Sequence, residues 1–244
     1  MRPVRRGTSP KINFDPYRDA HPFLISRLGM YCSYCERRIC TQLAVEHIQP
    51  KKGLHAHPNL IGVWENYLLA CVNCNSTKKD KEVVLANVLL PDRDNTFIAF
   101  SYSKDGYVRP SEIAISIGLE AKAKHTLELT GLDKKKAYSI LDENEVQIYV
   151  DRPSQRLEVW AIAEESKNTV DECPIDSVKQ MATNLALGSG FFSIWLTVFE
   201  KDTDMCNRLI DAFIGTRNSG CFDNNAKTIS PAPNPDKLPD GGKI

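Results

Sequence analysis

Two Cys-x-x-Cys pairs constrain the fold of this chain more than any other feature of its sequence. The first pair is Cys32 and Cys35, the second is Cys71 and Cys74, and 35 residues separate the two pairs. Four thiolates in two such pairs can bind one zinc ion tetrahedrally, with each pair forming a tight turn. Because four sulfur ligands leave no open coordination position, the spacing predicts a structural zinc ion and not a catalytic one.

Disulfide bonds are the alternative, since the 244 residues include eight cysteines. The N-terminus, MRPVRRGTSP, lacks the apolar segment of a secretory signal, and no apolar run approaches the roughly 20 residues that span a membrane. We therefore expect a cytoplasmic protein with no membrane partner, in which paired Cys-x-x-Cys motifs are typical of metal sites. The other four cysteines are expected to be small packing residues: Cys40, Cys173, Cys206 and Cys221.

Charge is distributed unevenly along the chain, although its net value is zero. Residues 1–82 carry 13 Lys and Arg against 7 Asp and Glu, whereas the remainder carries 18 against 24. A basic segment suits a ligand with a phosphate backbone. A solvated surface of mixed charge is equally compatible with these counts, and the extended basic arm at residues 1–15 is open to the same two interpretations.

The N-terminal third of the chain predicts a small unit built around the cysteines. A helix is predicted at residues 17–29, short strands at 43–48 and 67–71, and a second helix from residue 75 to about residue 90. Strand, loop, return and helix make a ββα unit of about fifty residues. A unit of this size is too small to be stabilised by a hydrophobic core alone, so the metal would hold its two ends together.

The rest of the chain predicts a hairpin followed by mainly helical structure. Residues 96–102 and 107–109 flank a Lys-Asp-Gly turn, which indicates the hairpin. Helices are predicted at 119–130, 133–150, 175–187 and 190–214, with their aromatic residues in the core. The Pro- and Gly-rich tail at 226–244 is expected to be disordered. The predicted fold class is α+β, divided into a ββα domain with a basic arm (1–92), a hairpin plus helical region (93–225) and the tail (226–244).

The polar residues between and beside the cysteine pairs suit phosphodiester hydrolysis. His47 lies beside Glu46 at the end of a predicted strand, and a neutral imidazole can deprotonate water near pH 7. This reaction also needs a divalent cation with oxygen ligands, which Asn75 and Glu46 could supply, while Asn66 could orient His47. The alternative is that His47 is a buried, satisfied histidine and that Asn75 caps a helix.

Taken together, these motifs resemble the HNH endonuclease family in its four-cysteine, zinc-stapled branch. They comprise Cys-x-x-Cys, Val45-Glu46-His47-Ile48-Gln49-Pro50, Asn66 and Cys71-x-x-Cys74-Asn75-x-x-Lys78. The resemblance implies a ββα-metal nuclease unit in which His47 is the general base and Glu46 binds catalytic Mg²⁺ or Mn²⁺. It places Asn66 at the central asparagine and Asn75 at the last, metal-binding position. That position is often His, so the chain is an HNN variant, and Glu46 replaces the commoner Asp.

Basic residues on both sides of the motif are predicted to contact phosphates of the nucleic acid. They are Arg37 and Arg38 near the first cysteine pair, and Lys78, Lys79 and Lys81 after the second. A solvated basic face is the alternative interpretation of this set.

Further features resemble the HNH subunit of Septu-type phage-defence systems, PtuB. They are the opening Met1-Arg2-Pro3-Val4, the Cys-Ser-Tyr-Cys-Glu run at 32–36 and Leu127-Glu128-Leu129-Thr130-Gly131-Leu132. This resemblance implies an antiviral effector regulated by an ABC-type ATPase (PtuA-like), with residues 93–225 as the docking region. The sequence has no Walker-type phosphate loop, so the ATPase is expected to be a separate chain.

Two other functions remain compatible with the sequence. The first is a non-catalytic, zinc-stabilised module that binds nucleic acid or protein. The second keeps the nuclease chemistry but replaces DNA with structured RNA such as tRNA, because a ββα site contacts phosphates more than bases.

Overall fold

The computed structural model describes residues 1–134, 139–141, 147–149 and 152–244, the two short ranges by their backbone alone. Its strands are β1 (Ala44–His47), β2 (Tyr67–Ala70), β3 (Phe100–Tyr102), β4 (Val108–Pro110), β5 (Ser139–Leu141) and β6 (Gln147–Tyr149). Its α-helices are α1 (His21–Leu28), α2 (Val72–Lys78), α3 (Thr96–Ala99), α4 (Glu112–Ser116), α5 (Glu120–Thr130), α6 (Arg152–Glu172), α7 (Asp176–Ser189), α8 (Phe192–Val198) and α9 (Thr203–Ala212). The predicted α+β class and the mainly helical C-terminal part are confirmed.

A two-stranded antiparallel sheet, β1–β2, leads directly into α2 and forms the ββα unit. In its register Ala44 faces Ala70 and His47 faces Tyr67, so the strands end together at the histidine. Cys71 is the N-cap of α2, and its sulfur accepts a hydrogen bond from the Cys74 N–H at 3.5 Å. The second cysteine pair therefore lies at the junction of strand and helix.

The second helix is much shorter than predicted, because α2 ends at Lys78 instead of continuing to about residue 90. Lys79, its C-cap, has φ 49° and ψ −127°, a backbone conformation that cannot continue a helix. The segment after Lys79 is irregular apart from one 3₁₀ turn, Leu85–Asn87. Val83 and Val88, which belong to this segment, are nevertheless buried. The apolar residues that indicated a helix are therefore buried in the core although they lie in an irregular segment.

The predicted hairpin is confirmed with shorter strands. Phe100 pairs with Pro110 and Tyr102 with Val108 in an antiparallel ladder, while residues 96–99 form the short helix α3. Next to this hairpin, α6 packs against α7 and α8, and α7 packs against α9. None of the helices described by the structure combines the length and the apolar character needed to cross a bilayer.

The longest helix, α6, was not predicted, and a predicted helix at 133–150 is wrong where the structure describes it. Residues 139–141 and 147–149 pair as antiparallel strands β5 and β6. The other positions of the predicted helix after residue 134 (135–138, 142–146 and 150) lie outside the described residues. The α6 helix buries a narrow stripe that includes Val159, Ala163 and Val170, and its other positions are mostly polar. A stripe this sparse gives little helical periodicity to detect.

The single helix predicted at 190–214 is two helices, α8 and α9. Phe191, the residue before α8, has φ 56°, and Asp202 caps α9 by accepting a hydrogen bond from the Met205 N–H at 3.0 Å. The side chains of this segment form the predicted aromatic core. Phe192 lies 5.3 Å from Phe213 between ring centroids, and both are buried.

The C-terminal tail is packed, which contradicts the predicted disorder of residues 226–244. Leu238 and Ile244 are buried, and the Ile244 carbonyl accepts hydrogen bonds from the N–H groups of Asn95 and Ala232 at 3.1 and 2.9 Å. Asn95 lies far from the tail in the sequence, whereas Ala232 belongs to the tail itself. Composition alone therefore does not indicate that it is ordered.

The basic arm also packs against the protein, and for Arg2 and Arg6 this decides between its two interpretations. Arg2 is buried and donates to the carbonyls of Leu28 (2.6 Å) and Ile214 (2.7 Å). Arg6 is buried as well, with an ion pair to Asp92 at 2.8 Å. These two guanidinium groups serve the fold and are not available to a phosphate backbone.

The first cysteine turn is joined to the corner between α7 and α8. The buried Glu36 carboxylate accepts hydrogen bonds from the Ser193 N–H (2.7 Å) and hydroxyl (2.6 Å), and the Glu36 carbonyl accepts one from the Phe191 N–H (3.0 Å). Gly190 has φ 78°, and a Cβ there would lie 2.7 Å from the Glu36 carbonyl oxygen. Only glycine permits this close approach.

Candidate functional site

The four cysteines predicted to bind metal form one buried cluster. The sulfur atoms of Cys32, Cys35, Cys71 and Cys74 all lie within 4.8 Å of one another. Two backbone hydrogen bonds close the first turn, from the Glu36 N–H to the Cys32 carbonyl at 2.9 Å and from the Cys32 N–H to the Arg37 carbonyl at 3.0 Å. The strand–helix junction supplies the second pair. The cluster could hold a metal ion.

The spacing of these sulfurs fits a metal site better than a disulfide. The Cys35 and Cys71 sulfurs are 3.7 Å apart. A tetrahedral ion with metal–sulfur bonds of about 2.3 Å separates its ligands by about 3.8 Å, whereas a disulfide bond is only about 2.05 Å long. Four buried thiolates would also repel one another without a cation between them.

The other cysteines divide into two groups. Cys206 and Cys221 are buried, as predicted for packing residues, and burial raises the pKa of each thiol, to about 12 and about 11 respectively. Cys40 and Cys173 are exposed, so the packing prediction is wrong for these two.

A cavity of about 570 Å³ opens beside the end of β1 and the outer face of α2. Residues of β1, the following loop and α2 line it: Ala44, Val45, Glu46, His47, Pro50, Lys51, Lys52, Gly53, Val72, Asn75, Ser76, Lys79 and Asp80. Adjacent strand residues normally face opposite sides of a sheet. Glu46 and His47 reach the same cavity because they are the last two residues of β1, and Asn75 joins them from α2.

The His47 ring is held by a hydrogen bond at one nitrogen and by two tyrosine rings that pack against it. Its Nε2 lies 3.0 Å from the Ile61 carbonyl oxygen, and since a carbonyl can only accept, Nε2 carries the proton of that contact. In the neutral ring the lone pair is then on Nδ1. Tyr17 and Tyr67 pack edge to face against the imidazole, with ring centroids 4.8 and 5.1 Å away and interplanar angles of 72° and 85°. Burial lowers the pKa of His47 to about 4, although the Ile61 contact opposes this shift, so the ring is neutral at pH 7.

Glu46 is buried and paired with Lys78. Its carboxylate oxygen lies 2.8 Å from the Lys78 ammonium, which also donates to the His47 carbonyl at 2.8 Å. Burial raises the pKa of Glu46, and the nearby Lys78 charge offsets part of that rise. Lys78 is only 1% exposed, so its predicted contact with phosphates is wrong. It lies one helical turn after Cys74, on the inner face of α2.

Replacing Lys78 with alanine is expected to destabilise the protein by about 3 to 5 kcal/mol, because the Glu46 carboxylate would remain buried without its counter-charge. Equilibrium unfolding in urea would measure the loss. The matched control is Lys81→Ala, since Lys81 is exposed and its removal should change the unfolding free energy by less than about 0.5 kcal/mol. Equal midpoints for the two variants would show that the pair contributes nothing to stability.

Asn66 lies away from the cavity lining, and its side chain holds the chain just after His47. Its Oδ1 accepts from the Gln49 N–H at 2.8 Å and its Nδ2 donates to the Gln49 carbonyl at 3.0 Å. The backbone carbonyl of Asn66 also accepts from the Ile48 N–H at 2.8 Å. The amide therefore pairs with the loop as a neighbouring strand would, and among the side-chain contacts that the structure describes it makes no hydrogen bond to the imidazole.

Of the five basic residues predicted to contact nucleic acid, Lys79 lines the cavity. Arg38 and Lys81 are exposed outside the lining. Arg37 is half-buried and donates to the Gln155 side chain of α6 at 3.2 Å, which ties it to the helical part. Two lining lysines, Lys51 and Lys52, were missed. Their signal in the sequence is the Lys-Lys pair directly after Pro50, four and five residues beyond His47.

Comparison with known proteins matches part of the chain. Residues 32–81 match the family model of the HNH endonuclease. A curated relative, the candidate HNH endonuclease of retron Vc95 from Vibrio cholerae serotype O1 biovar El Tor, is 30% identical over 118 residues. That alignment covers 43% of this chain and 53% of the relative, so the chain spans about half the length of the relative it matches.

Proposed function

We propose that this chain is a metal-dependent endonuclease that hydrolyses phosphodiester bonds, with DNA favoured as the substrate, and the match of residues 32–81 to the HNH endonuclease family model supports this. One observation carries the proposal. His47, whose imidazole is neutral at pH 7, lines the same cavity as Glu46 and Asn75, the two residues proposed to bind the cation. This shared lining supports the proposal, because a phosphodiester bound in the cavity could meet the proposed general base and the proposed cation together.

In the proposed reaction, His47 acts as the general base at Nδ1. The oxygen of a water molecule forms a bond to phosphorus while its proton passes to Nδ1, and the bond between phosphorus and the leaving sugar oxygen breaks. Solvent returns a proton to that oxygen. The Ile61 carbonyl holds Nε2–H during this transfer, so the ring keeps the tautomer in which Nδ1 is the acceptor.

We propose two metal ions with different roles. The carboxylate of Glu46 and the amide oxygen of Asn75 would hold Mg²⁺ or Mn²⁺, and two protein oxygens suit these ions, which usually keep positions for phosphate and water. When bound, the ion would neutralise charge on the phosphate and on the leaving oxygen. The four-cysteine cluster would hold zinc as a structural ion, with Cys32, Cys35, Cys71 and Cys74 as ligands.

Incubating the purified protein with supercoiled plasmid DNA and with folded tRNA tests this function. We expect nicked and linear DNA with Mg²⁺ or Mn²⁺, and intact DNA when EDTA is present. The assay is run with the protein alone and with a candidate ABC-type ATPase partner. Cleavage of RNA but not of DNA would mean that the substrate is RNA. Binding of nucleic acid without cleavage under all these conditions would favour the non-catalytic module.

We also propose that the nuclease is a cytoplasmic phage-defence effector controlled by that ATPase. The resemblance to the HNH subunit of Septu-type systems supports this role, and the name of the Vibrio relative places that protein in a retron. Co-expression followed by affinity purification of the ATPase should recover this chain. Phage plating on cells with both genes should then fall, and it should recover with His47→Ala. Full protection by that variant would contradict an effector role for the nuclease.

A further inference from the structure

We infer that Lys51, held against the ring of Tyr17, is a cation that contacts the substrate phosphate beside His47. This inference rests on the proposed function and adds to it a substrate-binding residue and a residue that positions it. Tyr17 lies outside residues 32–81, so the inference also extends the site beyond the matched segment.

Tyr17 contacts two residues of the cavity lining, Lys51 and His47. The Lys51 ammonium lies 3.6 Å from the centroid of the Tyr17 ring, and that ring lies 4.8 Å from the imidazole of His47. Lys51 and His47 both line the cavity. Tyr17 comes from the 3₁₀ turn Tyr17–Ala20, which precedes α1, so a separate element fixes where the lysine lies.

The charge of Lys51 is held in place but is not neutralised. A cation over an aromatic face is attracted by the ring quadrupole and keeps its full charge. Among the residues that the structure describes, no carboxylate forms an ion pair with Lys51. Lys78 differs in this respect, because Glu46 neutralises it in the interior.

The field of Lys51 acts on the groups around it. Interaction with the Lys51 ammonium, chiefly through hydrogen bonding, lowers the pKa of Tyr17, and the same charge adds to the burial that lowers the pKa of His47. A half-buried, unneutralised cation beside a neutral base is suited to an anion that arrives with the substrate. Each phosphodiester of a nucleic acid carries one negative charge, and lysine ammonium groups commonly bind it.

Salt-dependent binding tests the phosphate contact separately from cleavage. Binding of a short DNA duplex is measured by fluorescence anisotropy at several salt concentrations in the His47→Ala background. Each lost phosphate contact should reduce the slope of log K against log salt by about 0.9 on duplex DNA. We expect this loss for Lys51→Ala and retention of the slope for Lys51→Arg. The matched control is Lys11→Ala, because the Lys11 ammonium also lies over aromatic rings, 5.6 Å from that of Phe14, away from the cavity.

Cleavage by the same variants with His47 intact tests the positioning role of Tyr17. Lys51→Ala should lower the rate about 100-fold, the loss typical for one group that stabilises charge in the transition state. Tyr17→Leu should lower the rate in the wild-type background but add little once Lys51 is alanine, since both residues act through one ammonium. Additive losses would mean that Tyr17 acts only on the fold, and a Lys51→Ala variant with the slope and rate of Lys11→Ala would overturn the inference. If the wild-type protein cuts nothing, the proposed function fails, while the slope still decides whether Lys51 contacts phosphate.

Discussion

Replacing His47 with alanine should lower the cleavage rate by about 10² to 10⁴-fold, the contribution of a positioned general base. The loss follows from the geometry of the ring, whose Nε2 is committed to the Ile61 carbonyl and whose Nδ1 is the remaining basic atom. The fold should survive, because Tyr67 still donates its hydroxyl to the same carbonyl. The metal cluster does not include His47, so metal binding should also be unchanged.

Single-turnover cleavage of DNA with saturating Mg²⁺ measures this effect without interference from product release. The matched control is His125→Ala, since His125 is an exposed histidine on α5 and should cut at the wild-type rate. Metal content and thermal unfolding are measured for both variants. Wild-type cleavage by a folded, metal-loaded His47→Ala protein would remove the general-base mechanism.

Replacing Cys35 with serine should remove the structural ion and unfold the ββα unit. The binding free energy of a structural zinc ion is about 10 to 16 kcal/mol, comparable to the entire stability of a typical domain. In this unit the two strands have four residues each, and the four sulfurs join the turn before β1 to the start of α2. Without the ion, four buried thiol groups would lose their common partner, and those two ends would no longer be linked to each other.

Zinc analysis after gel filtration and circular dichroism during heating would measure the loss. We expect about one zinc ion per wild-type chain, close to none for Cys35→Ser, and a large fall in the unfolding temperature. The matched control is Cys173→Ser, because Cys173 is exposed and lies outside the cluster. A Cys35→Ser protein that keeps both its zinc and its unfolding temperature would show that the cluster is not what stabilises this unit.

The residues of the candidate site could be found in the sequence because most of them belong to short local motifs. The cysteine turns and the Glu46-His47 pair each involve neighbouring residues, and β1, β2 and α2 bring these pieces together in the order that the spacing implies. Lys78 could not be placed in this way. Its position in a Lys-Lys-Asp-Lys run suggests a surface, whereas its burial depends on Glu46, across the unit on β1.

The larger fold was less predictable for a related reason. The tail is ordered by bonds to Asn95, more than a hundred residues away, and the arm by contacts with the carbonyls of Leu28 and Ile214. Segments of low hydrophobicity are predicted to be disordered, because their distant bonding partners cannot be identified from local composition. In α6 the buried stripe is so narrow that periodicity does not distinguish it from a polar loop.

The bond between Glu36 and Ser193 implies that the ββα unit and the helical part unfold cooperatively. Glu36 is the residue next to Cys35, and its carboxylate fixes the first turn of α8. Release of the ion would free that turn and withdraw two acceptors from Ser193. Chelation of the ion should therefore destabilise the ββα unit and the helical part together, in a single unfolding transition. A force applied to α8 would in turn strain the sulfur ligands.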